Sequence, residues 1–187
     1  MLARRSVEQN RKGRAAVRQT RQKPGYDQGM EIYVLRHGIA EEGKAGAPDA
    51  DRALTDTGRE KLRAVLEQAH VAGVKPSLIL TSPYRRAHQT AHMAGQVLGC
   101  HKIVETEILV PGSAPKAVWE AICARRREPA LLLAGHEPLL SMTVGYLLGA
   151  PSLQVDLKKA ALVRIDQETF SGAPHGVLKW MLTPRLV

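Results

Sequence analysis

Short apolar segments recur along the chain from residue 30 onward, separated by polar or amphipathic stretches. Each segment is three to six residues long and is mainly β-branched or aliphatic, which is typical of strands buried inside a sheet. We predict strands over Glu31–Leu35, Leu78–Thr81, Ile103–Glu105, Ala130–Ala134, Ala161–Ile165 and Val177–Leu182.

Between these segments, apolar residues recur at the three- and four-residue spacing of a helix. One predicted helix starts after Thr55, a favoured N-cap, and ends at Gly73. Others start at Ser82-Pro83, span Pro115–Arg126 and begin near Pro138, since proline is tolerated at the first helical position. This alternation predicts an α/β domain, a three-layer α/β/α sandwich with a mostly parallel central sheet.

The composition indicates one globular domain, because 44% of the 187 residues are apolar. The net charge of +9 is concentrated at the N-terminus, where residues 1–29 carry eight Arg or Lys against two acidic residues. These residues contain almost no large apolar side chains, so we predict a basic, disordered extension ahead of a domain over residues 30–187. A nucleic-acid or membrane arm is the alternative. We favour a solvated extension of the kind that an upstream translation start produces, because Met30 directly precedes the first strand.

The cysteine pattern and hydropathy indicate a cytoplasmic protein. Cys100 and Cys123 form no C-x-x-C pair, which argues for a reducing compartment without disulfides. The longest apolar run, Pro138 to Pro151, suits a buried helix rather than a membrane span, and residues 1–29 lack the apolar core of a secretory signal. We therefore expect no membrane partner.

The first predicted strand ends in residues that suit phosphate chemistry. Arg36 offers a planar fork of donors to phosphate oxygens. His37 can attack phosphorus, because a neutral imidazole has a free nitrogen lone pair. Gly38 allows a sharp turn and a close approach of the backbone to a ligand. Alone, however, this tripeptide is a weak signal.

Two further strands end in similar residues, at Thr81–Arg86 and Gly135–Glu137. If these strands are parallel neighbours, their carboxyl ends meet at one edge of the sheet. Both segments also lead into helix N-termini, whose free N–H groups attract anions. The sequence therefore predicts one small anion pocket that contains two histidines and several arginines.

These motifs resemble the histidine phosphatase superfamily, also called the phosphoglycerate mutase-like family. Leu35-Arg36-His37-Gly38 matches its signature, and Leu54-Thr55-x-x-Gly58 matches its second motif. Ser82-Pro83-x-x-Arg86-Ala87-x-Gln89-Thr90-Ala91 and Gly135-His136 match the third and fourth. The similarity runs from about residue 31 to 182. Its compact spacing is most similar to that of the small SixA-type protein phosphohistidine phosphatases.

The resemblance implies a metal-independent phosphatase that needs no cofactor. His37 would form a phosphohistidine intermediate, while Arg36, Arg86 and His136 would hold the phosphoryl oxygens. Arg52 occupies a position where SixA-type proteins often carry a further pocket arginine. The expected substrate is a protein that bears phosphohistidine. The alternatives are a small phosphate ester, a non-catalytic phosphate-binding module, and nucleic-acid binding through the basic extension.

Three assignments stay open at this point. Larger family members protonate the leaving group with an acidic residue after the third motif, where this chain has Glu105 and Glu107, and Glu107 is the candidate. A phosphohistidine leaving group is readily protonated, so a dedicated acid is not required. His88 and His92, four residues apart on a helix, could instead bind a metal, but no nearby residue in the sequence completes the ligand set.

Overall fold

A six-stranded sheet forms the centre of the domain in this computed structural model, which describes residues 29–187. Except for Gly29, the predicted basic extension lies outside the described residues. The strands are β1 (Met30–Arg36), β2 (Leu78–Thr81), β3 (Ile103–Glu105), β4 (Ala130–Gly135), β5 (Leu162–Gln167) and β6 (Val177–Leu182).

The strand order is β3-β2-β4-β1-β5-β6. The four strands β3, β2, β4 and β1 pair in parallel, whereas β5 is antiparallel to both β1 and β6. The predicted, mostly parallel sheet is therefore confirmed. Because β1 and β4 lie inside the sheet, they are buried on both faces and are almost continuously apolar.

Helices cover both faces of the sheet. They are α1 (Asp56–Val71), α2 (Arg85–Leu98), α3 (Pro115–Cys123) and α4 (Leu139–Leu147). Two short 3-10 helices, Asp49–Asp51 and Glu107–Leu109, lie in connections. No helix within residues 29–187 has the length and hydropathy needed to cross a bilayer.

Alternate residues of β1 separate two apolar cores, which confirms the three layers. Ile32 and Val34 pack with the core that includes α3 and α4. Tyr33 and Leu35 pack with the core that includes α1 and α2. This alternation follows from the two-residue period of side chains along a strand. Burying each large aliphatic side chain contributes about 1.5–3 kcal/mol, so the two cores hold both helical layers on the sheet.

Some element boundaries differ from the sequence prediction. α2 begins at Arg85 rather than at Ser82-Pro83, because Tyr84 remains extended and its backbone N–H donates to the Ser82 hydroxyl (3.3 Å). α3 ends at Cys123 rather than at Arg126, where the chain continues in tight turns. The predicted N-cap of α1 is correct, since the Thr55 side chain accepts a hydrogen bond from Gly58 N (3.0 Å).

Gly58, in the first turn of α1, packs against the segment that follows β1. A β-carbon at Gly58 would overlap the carbonyl group of Ile39, and one at Gly38 would lie 3.1 Å from the Gly58 carbonyl oxygen. These contacts are with backbone atoms, which cannot rotate away. Glycine is therefore required where α1 meets the chain just after His37.

We predict that Gly58→Ala destabilises the domain by about 1–3 kcal/mol, because the added methyl group overpacks a backbone contact. Chemical denaturation measures this change. Gly112→Ala is the matched control, since a β-carbon there has no atom within 4 Å. Equal stability of the two variants would contradict the close packing of α1 against this segment.

Candidate active site

Backbone pairing brings three strand ends together at one edge of the sheet. Arg36 on β1 lies opposite Gly135 on β4, and Thr81 on β2 lies opposite Ala134. The pairing extends one residue past each strand, because His37 N donates to the Gly135 carbonyl (3.0 Å) and Ser82 N donates to the Ala134 carbonyl (3.0 Å). Residues 36–38, 82–86 and 135–137 therefore meet, as the sequence pattern predicts.

His37 is buried, with 7% of its surface exposed, and its imidazole tautomer follows from one contact. Its Nδ1 lies 2.7 Å from the Gly38 carbonyl oxygen, which can only accept a hydrogen bond. Nδ1 therefore carries the proton, and Nε2 keeps its lone pair. Burial lowers the pKa of His37 to about 4, and the charges of Arg86 and Arg36 also lower it. His37 is consequently neutral over the physiological pH range, with a lone pair on Nε2.

Arg36 is held by a turn that precedes β5. Its guanidinium donates to the Leu157 carbonyl oxygen (2.7 Å), and Ala160 N contacts the carbonyl oxygens of both Arg36 (3.2 Å) and His37 (3.0 Å). Ala160 has a φ of 62°, a left-handed conformation that is uncommon for a residue other than glycine. The Arg36 Nε atom is buried and has no hydrogen-bond partner within residues 29–187. Burial also lowers the pKa of Arg36.

Asp49 connects two arginines, a role that the sequence analysis missed. Arg86, which is 5% exposed, donates to the Asp49 carbonyl oxygen (2.7 Å) and to its carboxylate (2.8 Å). Arg52 donates to the other carboxylate oxygen (2.8 Å). Hydrogen bonds from Arg52 and Arg86 lower the pKa of Asp49, so its carboxylate stays ionised. Arg52 and Arg86 thus share the Asp49 carboxylate. The Asp49-x-x-Arg52 spacing was the sequence signal that could have indicated this ion pair.

His136 faces His37, with 5.0 Å between the ring centroids. Its Nε2 lies 2.9 Å from the Ser82 hydroxyl, and its buried Nδ1 has no hydrogen-bond partner within residues 29–187. Burial lowers the pKa of His136 to about 3, and the neighbouring His37 also lowers it, so the ring is neutral. Ser82 can donate its proton to Nε2, because its oxygen already accepts from Tyr84 N. In that arrangement Nδ1 is an N–H donor available to an anion.

The Tyr84 ring packs between two of the polar groups. It lies edge-on to His136 at 5.1 Å, and the Arg86 guanidinium carbon is 5.2 Å from its centroid. A cation over an aromatic face is attracted to the ring quadrupole. Tyr84 therefore helps to fix both side chains. It occupies a variable position of the third motif, so the motif did not identify it.

The remaining motif residues hold the backbone around His37. Thr90 on α2 accepts a hydrogen bond from Gly38 N (3.2 Å) and donates to the Arg86 carbonyl (2.8 Å). Gln89 accepts from Leu54 N (2.7 Å) ahead of α1. The two side chains thus join α2 to both loops of the site.

Within residues 29–187, the side chains of the remaining candidates form no hydrogen bond with those of Arg36, His37, Arg86 or His136. Glu107 is exposed in its 3-10 helix, and its described contacts are through its backbone. Arg85 is exposed, whereas Arg86 is buried in the site. His88 lies 3.2 Å from His92 and 2.9 Å from a Glu105 oxygen. Within the described residues, no group of three or more His, Cys, Asp or Glu side chains could hold a metal ion.

Comparison with known proteins gives the family of this chain. Residues 32–109 match the family model of the histidine phosphatase superfamily, branch 1. An uncharacterized protein of Picosynechococcus is 36% identical over 72% of this chain and 83% of its own length. Phosphohistidine phosphatase SixA of Escherichia coli is 27% identical over 83% of this chain and 94% of its own length. The chain belongs to the histidine phosphatase superfamily.

Solved structures of the histidine phosphatase superfamily share the fold. A SixA complexed with tungstate superposes with a TM-score of 0.73 at 22% identity, over 84% of this chain and 99% of its own. A mycobacterial glucosyl-3-phosphoglycerate phosphatase superposes with a TM-score of 0.60 at 17% identity, over 80% and 97%. The family match and the sequence similarity to SixA make the chain a phosphatase of this superfamily, and these structures share its fold. The fold itself accommodates relatives with both protein and small-molecule substrates in their names.

We predict that His37 remains the neutral Nδ1-protonated tautomer down to about pH 5 and titrates near its pKa of about 4. In the unfolded chain, this histidine takes up its proton near pH 6.5. Because the unfolded state then binds more protons than the folded state, the free energy of unfolding decreases as the pH falls from about 6.5 to about 4. Nitrogen-15 NMR of the histidine rings measures both tautomer and midpoint. A midpoint near 6.5 in the folded protein, or an Nε2-protonated ring, would contradict the assignment.

We also predict that Asp49→Ala lowers the phosphatase kcat about tenfold with a smaller effect on KM, because Arg86 loses its orientation at the transition state. Asp49→Asn should retain part of the activity, since an amide oxygen can still accept from one arginine. Asp51→Ala, in the same 3-10 helix, is the matched control. A loss of the same size in both alanine variants would show a general effect on the loop.

Proposed function

We propose that this phosphatase hydrolyses phosphohistidine in proteins through a phosphohistidine intermediate on His37, without a metal ion. The observation that carries the proposal is the free Nε2 lone pair of a neutral, buried His37, surrounded by Arg36, Arg86 and His136. Within residues 29–187, each of the other three residues has at least one polar N–H without a hydrogen-bond partner. Together they form a cradle for an anion in front of a nucleophile.

The first step transfers the phosphoryl group to the enzyme. Nε2 of His37 attacks phosphorus in line, and the P–N bond to the substrate imidazole breaks. The bonding electron pair leaves with the substrate nitrogen, which takes up a proton. In the second step water attacks phosphorus, the P–N bond to His37 breaks, and inorganic phosphate leaves while a proton passes to solvent. Atoms and charge balance over the two steps.

Electrostatic stabilisation by the cations replaces a metal ion in this proposal. Negative charge spreads over the equatorial oxygens in the transition state of phosphoryl transfer, and fixed donors stabilise it. Arg36 offers its unpaired Nε–H, and His136 offers Nδ1–H. Arg86 keeps further N–H groups beyond the two bonded to Asp49. Arg52 also pairs with Asp49, and its positive charge offsets the negative charge of that carboxylate.

A protein substrate fits the architecture better than a small ester. Between Arg86 and His136 the chain forms only α2, β3, a 3-10 helix, α3 and β4, with no inserted segment to enclose a small ligand. A small ester would then gain little binding beyond its phosphate. The similarity to SixA along most of both chains supports the same substrate class. Glu107 is the candidate proton donor, but a phosphohistidine leaving group is protonated readily and does not require it.

The test compares substrates and variants in one assay series. We expect kcat/KM for a phosphohistidine protein to exceed that for a sugar phosphate by about a hundredfold or more, which corresponds to about 2.7 kcal/mol in transition-state binding. His37→Ala should lose at least about a thousandfold in rate. An alkaline quench with labelled substrate should trap phosphate on His37, and a chelator should leave the rate unchanged.

Specific results would contradict each part of the proposal. Label on His136 would reassign the nucleophile. Loss of activity in the chelator, restored by one divalent ion, would overturn metal independence. Comparable efficiency on a small phosphate ester, with slow turnover of phosphohistidine proteins, would assign the enzyme to small-molecule substrates. Arg85→Ala is the control for Arg86→Ala, which should be far more damaging.

A further inference from the structure

A second concave region adjoins the site and is strongly basic. It has a volume of about 370 Å³ and lies between α1, the turn before β5 and the C-terminal segment. Its cationic lining residues are Arg36, Lys61, Lys158, Lys159 and Arg185. Among residues 29–187, no acidic side chain lines it; the other lining residues are Ile39, Thr183 and Pro184. We call this region the basic cavity.

Most of this charge is not neutralised by the fold. Asp156 pairs with Lys158, with a nitrogen-to-oxygen distance of 2.6 Å. Within residues 29–187, Lys61, Lys159 and Arg185 form no ion pair with an acidic side chain. Like charges held close together repel one another, and an arriving anion relieves that repulsion.

The basic cavity shares Arg36 with the candidate active site. Lys159 lies close enough for its charge to lower the pKa of His37. A ligand whose phosphoryl group lies at His37 would therefore place its neighbouring atoms beside the basic cavity. The lysines and Arg185 are exposed, so a large partner can reach them without entering an enclosed space.

We propose that the basic cavity docks carboxylate side chains of the phosphohistidine-bearing protein, close to the phosphorylated histidine. The inference rests on the proposed function and adds an acidic surface to the substrate class. Flexible ammonium groups around a wet rim suit carboxylates whose positions vary between partners. Ile39 and Pro184 offer apolar surface to the methylene groups of Asp and Glu side chains. Charge complementarity of this kind mainly accelerates association and selects partners.

The experiment reverses charge in the basic cavity without changing the catalytic residues. Lys61→Glu with Arg185→Glu is the test variant. Lys75→Glu with Arg127→Glu is the matched control, because it changes net charge equally and its exposed residues precede β2 and β4, at the opposite edge of the sheet. Each is assayed on a phosphohistidine protein with acidic residues beside the phosphohistidine, and on free phosphoimidazole.

We expect the test variant to lose about tenfold in kcat/KM on the acidic protein and to keep wild-type activity on phosphoimidazole. The control variant should match wild type on both substrates. Raising the salt concentration from about 0.05 to 0.3 M should slow the wild type on the protein and affect the test variant much less. Neutralising the acidic residues of the substrate should abolish the difference between the enzymes.

Other outcomes overturn the inference. Equal loss on phosphoimidazole and on the protein would show damage to the site rather than lost docking. Wild-type activity of the test variant on the acidic protein would show that the basic cavity does not contact the substrate. The proposed function is judged separately, by the wild type alone: if it turns over phosphoimidazole and no phosphohistidine protein, both the protein-substrate proposal and this inference are wrong.

Discussion

The hydrogen bond between His37 Nδ1 and the Gly38 carbonyl determines which imidazole nitrogen is free, and much of the surrounding structure maintains it. The Gly38 peptide is held by Thr90 on α2 and lies against Gly58 on α1. α1 and α2 therefore hold the Gly38 peptide in place, and its carbonyl determines the tautomer of His37. Because the ring is buried among cations, protonation of Nε2 is also disfavoured, so geometry and electrostatics favour the same state.

The burial that keeps the two histidines neutral also makes it energetically unfavourable to hold charged arginines beside them. Arg36 donates to the Leu157 carbonyl, and Arg86 donates to the carbonyl and carboxylate of Asp49. A buried cation without full compensation is unfavourable until an anion arrives. The site is thus arranged for an occupant that brings negative charge. Within residues 29–187, the buried atoms Arg36 Nε and His136 Nδ1 have no hydrogen-bond partner, and both can donate to such an anion.

The sequence predicted the strands, the layers and the convergence of three strand ends, because apolar periodicity and the parallel connections determine them. It did not predict the partners that orient the arginines. Arg36 donates to the backbone carbonyl of Leu157, which is 121 positions away in the chain. The identity of a side chain gives no indication of a contact made by its backbone. Asp49 resembled a surface acid in a polar loop. The basic cavity also escaped notice, since its cations come from α1, the turn before β5 and the C-terminal segment, which are distant in sequence.

The antiparallel direction of β5 has a consequence for how such an enzyme can diversify. A parallel strand at that position would deliver its last residues to the reactive edge, whereas β5 delivers its beginning, and with it the connection from α4. The end of that connection, residues 157–160, binds the Arg36 guanidinium and the carbonyl oxygens of Arg36 and His37 through backbone groups. If the proposed docking is correct, Lys158 and Lys159 of this connection contact the substrate while β1 carries His37, so that variation in the connection can alter substrate preference and leave β1 unchanged.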